Sequence, residues 1–138
     1  MTINTAFLDS WRPSALAALR IVTAYLFIPH GTAKLFGVPH LAMFDGLQVM
    51  SLAGLAGILE VFGGALLLVG LFTRPVAFLL SGFMAVAYFM AHASKGNLLL
   101  PLLNQGELSV LYCFAFLYFV FSGAGAWSVD AWRNGRKG

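Results

Sequence analysis

Between residues 20 and 34 an apolar stretch carries three groups able to bind or move charge: Arg20, His30 and Lys34. At the pitch of an α-helix, Arg20, Thr23, Phe27, His30 and Lys34 fall within about 80° of arc, so the polar groups form one stripe. A charge at mid-helix in lipid costs roughly 2.5–3.5 kcal/mol, which turns such a stripe toward protein or a wet cavity and makes its residues candidates for chemistry. Glu60 sits inside a second, glycine-rich apolar run. Tyr88, His92 and Lys95 share one face at the end of a third, and Glu107 opens a fourth.

These residue types suit proton and anion handling. His, Lys and carboxylate side chains around an aromatic-lined slot hydrogen-bond a quinone and move its protons. In that scheme Glu60 and His30 are the catalytic, proton-handling groups. Arg20 is their electrostatic partner, Lys34 and Lys95 contact an anion or a ring oxygen, and Tyr88, His92 and Glu107 complete the binding set. Haem ligation by His30 and His92 is the competing cofactor use, but the neighbouring lysines and carboxylates match a quinone better. Each residue also has a structural reading. Arg20 and Glu60 pair to fix two helices, the lysines snorkel to phosphates, Glu107 closes a capping box begun at Asn104, and the tyrosines pack.

The single cysteine, Cys113, excludes an intramolecular disulfide, a CxxC redox pair and a cysteine-based metal site, and no metal centre is expected. No phosphate-cradling glycine loop, nucleophile elbow or CxxCH motif is present. The eight Lys and Arg are spread along the chain instead of forming a patch, which argues against a nucleic-acid partner.

The elements that position these groups are membrane spans. The 138 residues are 60% hydrophobic and only 9% charged, with a mean hydropathy of +0.87, and this describes an integral membrane protein of one domain, residues 1–138. Four apolar runs, residues 14–36, 51–72, 75–93 and 107–127, predict four spans; the first reaches about 34 Å as a helix, enough to cross about 30 Å of hydrocarbon. Pro13 is expected in the first turn of span one and Pro29 to kink it. A short interfacial helix is expected between spans one and two, from the helical spacing of Leu41, Phe44 and Leu47. The brief Thr73-Arg74-Pro75 turn makes spans two and three antiparallel neighbours. Arg12, Arg74, Arg133, Arg136 and Lys137 at one side, against Lys34 and Lys95 at the other, place both termini in the cytoplasm.

Several motifs together resemble the DoxX or DoxD-like small membrane proteins: Leu19-Arg20, the run from Phe27 through Pro29-His30-Gly31 to Lys34-Leu35-Phe36-Gly37, Glu60 within its glycines, and Gly70-Leu71-Phe72-Thr73-Arg74. The resemblance implies a four-helix transmembrane bundle in the bacterial inner membrane. It also implies a link to redox systems, since some members are associated with thiosulfate:quinone oxidoreduction and others with redox or detoxification complexes. The expected activity is a membrane redox protein that handles quinone or quinol, with thiosulfate or a related sulfur anion as donor. The alternatives are a non-catalytic anchor or accessory subunit of a partner oxidoreductase, and a small-solute or proton transporter. The last would need a homo-oligomer for alternating access.

Overall fold

A computed structural model of the chain describes residues 5–135. Arg136 and Lys137, which enter the charge bias above, lie outside the described residues. Those residues form six α-helices and no strand: α1 (Ala6–Phe36), α2 (Leu52–Val69), α3 (Thr73–Ala87), α4 (Pro101–Asn104), α5 (Glu107–Ser122) and α6 (Val129–Gly135). Helix α3 runs on through a π-helical turn, Tyr88–His92, and a 3-10 turn, Ala93–Lys95. Three of these helical stretches are long and apolar enough to cross a membrane: Ala6–Phe36, Leu52–Val69 and Thr73–Lys95. Helix α5 is also apolar but has 16 residues.

The boundaries depart from the sequence expectation where local chemistry intervenes. Helix α1 begins eight residues before Ser14, its exposed first turns carrying an Arg12–Asp9 bridge of 3.0 Å. Pro13 is therefore interior, and its carbonyl accepts from the Ala126 N–H at 3.0 Å. The helix also continues through Pro29 and stops at Gly37, which takes the left-handed conformation with φ 63°. The expected interfacial helix reduces to a three-residue 3-10 turn, Ala42–Phe44, because Pro39 lacks a donor and Gly46 reverses the chain at φ 74°. Helix α2 is capped by the Ser51 hydroxyl, which accepts from the Gly54 N–H at 3.1 Å, and it ends at Val69. Helix α5 stops at Ser122 instead of continuing to Trp127, since Gly123 and Gly125 have φ of 78° and 72°.

Helices α1 and α2 form one antiparallel pair, α3 and α5 another, with α2 packed on α3 and α1 touching α5 along a narrower seam. Small residues set the first pairing. A Cβ on Gly31 would lie 2.6 Å from the Gly57 carbonyl oxygen and 2.9 Å from the Glu60 Cβ, so the α1 and α2 backbones are in contact there. The core joining the pairs is Ala24 and Phe27 from α1, Leu67 from α2, Ala77, Leu80 and Met84 from α3, and Tyr112, Phe116 and Phe119 from α5. Phe27 meets the edges of Tyr112 and Phe116 at ring separations of 5.1 and 4.9 Å. The start of α1, the end of α2, the start of α3 and the end of α5 gather at the same end of the molecule as α6.

That end is tied by three side chains acting as remote caps. Helix ends leave carbonyls and N–H groups without intrahelical partners. Arg20 of α1, fully buried, donates to the Leu67 and Leu68 carbonyls at the end of α2, both at 2.6 Å. Its remaining donors reach the carbonyls of Ala124 at 2.9 Å, Ala126 at 3.4 Å and Trp127 at 2.9 Å. Arg74 donates to the Val120 and Phe121 carbonyls at 2.7 and 2.8 Å, ending α5. Asp130 accepts the Phe72 and Thr73 N–H groups at 3.0 and 2.8 Å, starting α3.

Candidate functional site

The close approach of Gly31 to Gly57 decides which charges meet. A Cβ on Gly57 would stand 3.1 Å from the Lys34 Cβ, so Lys34 lies level with Gly57 and one turn from Glu60. The Lys34 ammonium reaches both oxygens of the Glu60 carboxylate, at 2.6 and 2.7 Å. Glu60 is only 4% exposed. The expected Arg20–Glu60 bridge is therefore replaced by a Lys34–Glu60 bridge. Arg20 instead spends all five guanidinium N–H donors on main-chain carbonyls, and this assigns it to the helix ends, where it leaves no donor for a bound molecule.

Around the ion pair the site is aromatic. Lys34 Nζ stands 5.7 Å from the centre of the Phe44 ring, so the 3-10 turn of the loop roofs the pair. On the other side His30 meets the Tyr112 ring edge-on at 6.1 Å. His30 lies one helical turn before Lys34 on α1. His30 is exposed on the surface of α1, with its ring turned against α5. Lys34, Glu60, His30 and Tyr112 thus form one cluster from three helices. Its carboxylate is held by a single ammonium, so protonation of Glu60 frees Lys34 to contact another acceptor.

The remaining candidates lie elsewhere. Tyr88 and His92 sit on the π-helical turn, with rings stacked at 6.4 Å. The Tyr88 hydroxyl donates to the Leu98 carbonyl at 2.7 Å and accepts from the Asn104 amide at 3.0 Å. His92 Nδ1 lies 3.1 Å from the Asn104 carbonyl oxygen, which accepts the Nδ1–H. Lys95 and Glu107 are exposed. The expected Asn104 to Glu107 capping box is absent: Gly106 is the N-cap and no side chain caps α5. Asn104 instead turns back locally, its Oδ1 accepting the Gly106 N–H at 2.9 Å. Tyr88 and His92 accordingly form a second cluster with Asn104, bonded to a loop and separate from the Lys34–Glu60 pair. No ring contact joins His30 to His92 among the described residues.

Sequence reasoning missed Asn104, Tyr112 and Phe44 as members of these clusters. Asn104 is the recoverable one, because an Asn two residues before a glycine is the pattern of a side chain bonding its own backbone.

The DoxX family model matches residues 15–93 of the chain, a stretch that contains Arg20, His30, Lys34, Glu60, Tyr88 and His92. An uncharacterized protein of Haemophilus influenzae is 52% identical over 126 residues, covering 89% of this chain and 93% of that protein. No solved structure matches the chain. With more than half of its length matched and three helices fit to cross a bilayer, the chain belongs to the DoxX family and is a membrane protein built on apolar helices.

Proposed function

We propose that this protein is a quinone-linked membrane redox protein of the bacterial inner membrane, with α5 as a fourth crossing and both termini in the cytoplasm. The observation that carries the reading is the Lys34–Glu60 pair, buried between α1 and α2 and adjoined by His30 and Tyr112. Converting a quinone to a quinol consumes two electrons and two protons, and the protons need a route through side chains that titrate. Glu60 and His30 supply that route. Lys34, released when Glu60 takes a proton, donates to a ring oxygen. In this reading the quinone headgroup docks on the outer surface of the α1/α5 seam, beside the exposed His30 imidazole that meets Tyr112 edge-on, above the core that Phe27 and Phe116 fill. The electrons come from outside this chain, from a sulfur anion such as thiosulfate, two of which couple to tetrathionate and release two electrons, or from a partner oxidoreductase subunit.

The test is quinone content and turnover in purified protein. Lipid extracts of the wild type are expected to contain quinone, and quinone reduction should collapse in Glu60→Gln and His30→Ala while the helical content is retained. Protein that carries no quinone and reduces it equally well with Glu60→Gln refutes the reading. Copurification with a soluble oxidoreductase, with turnover untouched by either substitution, would instead support an accessory subunit, whose polar residues act as Arg20 does.

A further inference from the structure

The loop that joins the π-helical turn to α5 exposes a run of leucines. Leu98, Leu99, Leu100, Leu102 and Leu103 are all more than half exposed, from 52% for Leu98 to 88% for Leu99, an arrangement that water disfavours. Yet the loop backbone is held tightly. The Tyr88 hydroxyl bonds the Leu98 carbonyl at the start of the run, and the amide of Asn104, just past its end, bonds the Tyr88 hydroxyl and, at 3.2 Å, the Asn97 carbonyl just before its start. Asn104 and Gly106 are themselves buried, and a Cβ on Gly106 would strike the Tyr88 ring at 2.5 Å.

The level of this anchor can be read from the helix. Tyr88 lies seven residues before Lys95, about 10 Å further into the molecule at roughly 1.5 Å per residue. Both ends of the leucine run are bonded to Tyr88, so those ends are held on the inner side of Lys95. Helix α5 needs this. Its 16 residues reach only about 24 Å, short of a hydrocarbon core of about 30 Å. Adding α4 and the link through Gln105 and Gly106 extends the apolar segment from Pro101 to Ser122. In lipid, non-helical backbone is tolerated where it is buried in protein; in the link between α4 and α5 Asn104 and Gly106 are buried, while Gln105 between them is exposed.

We propose that the fourth crossing is a discontinuous helix, α4 and α5, and that Leu98–Leu103 insert among the acyl chains of the leaflet opposite the termini, with the Tyr88–Asn104 bonds as the anchor. The inference rests on the membrane assignment and not on quinone chemistry. It is tested in the full chain by a photoreactive diazirine residue in place of Leu99, reconstituted in vesicles of phosphatidylethanolamine and phosphatidylglycerol and irradiated. The expected product carries the mass of a phospholipid. A product dominated by water addition overturns the proposal, and so does crosslinking to a second copy of the chain. The anchor is tested by Leu99→Cys carrying an environment-sensitive dye in a Cys113→Ser background, alone and with Tyr88→Phe. Nitroxide lipids should quench the dye, and Tyr88→Phe should cause a several-fold loss of that quenching. Quenching by aqueous iodide alone in the parent, or depth unchanged by Tyr88→Phe, refutes the insertion or the anchor respectively.

Discussion

Replacing Lys34 by methionine isolates the energetics of the buried pair. Methionine keeps most of the stem that lies along α2 and removes the ammonium, leaving the Glu60 carboxylate 4% exposed with neither of its contacts at 2.6 and 2.7 Å. Breaking a buried pair by removing one partner costs about 3–5 kcal/mol, whereas replacing both partners by apolar side chains is often neutral or stabilising. Lys34→Met should therefore destabilise the fold by about 3–5 kcal/mol, a factor of roughly 10² to 5 × 10³ in the folding equilibrium. Lys34→Met with Glu60→Leu should return to within about 1 kcal/mol of the wild type. The assay is reversible unfolding in mixed micelles by denaturing detergent, followed by far-ultraviolet circular dichroism, for wild type, both single variants and the double. A coupling energy of about 3 kcal/mol or more stands far outside the 0.3–0.5 kcal/mol by which independent sites deviate from additivity. The reasoning is refuted if Lys34→Met costs under about 1 kcal/mol, as a solvated pair would, or if the two single losses simply add. A double variant that folds but reduces no quinone separates the chemical role of the pair from its structural one.

Two further outcomes follow from the remote caps. Arg20→Lys should lower the melting temperature of the micellar protein almost as far as Arg20→Ala, because one ammonium cannot reproduce five N–H groups directed at carbonyls from two segments; a lysine variant that melts with the wild type refutes the cap. Burial works to raise the Asp130 carboxyl, but the N–H groups of Thr73 and Phe72 and the charge of Arg133 together hold it below its ordinary value. Its contribution is thus fully present above the unfolded carboxylate value of about 3.9 and is lost as pH falls through the lower folded value. Unfolding measured from pH 6 downward should show that acid loss in the wild type and less of it in Asp130→Asn; equal slopes refute the assignment.

Periodicity made the polar stripe of α1 legible. What periodicity does not carry is relative depth. Counting from span boundaries put Arg20 and Glu60 within reach, but Gly57 is level with Lys34, so α2 begins roughly a turn beyond the level at which α1 ends. That offset hands Glu60 to Lys34. The partners of Arg20 were hidden for another reason: they are main-chain carbonyls, and a carbonyl has no residue type by which a sequence can announce it. The early end of α5 depends on Gly123 and Gly125 adopting left-handed conformations, which the apolar run to Trp127 masks. The π-helical turn at Tyr88–His92 has no sequence signal of its own; it arises with the Asn104 contacts that hold it.

The caps that close the terminus end of the molecule span 46 to 107 residues of sequence. During synthesis α1 emerges from the ribosome long before the end of α2, which supplies two of the acceptors of Arg20, and the segment from Ala124 to Trp127, which supplies the other three. Until then the guanidinium is favoured near water or the insertion machinery, since an unsatisfied charge in hydrocarbon is costly. Burial of Arg20 with all five donors satisfied therefore waits on synthesis through Trp127, and a product truncated before Ala124 leaves three of those donors without their acceptors.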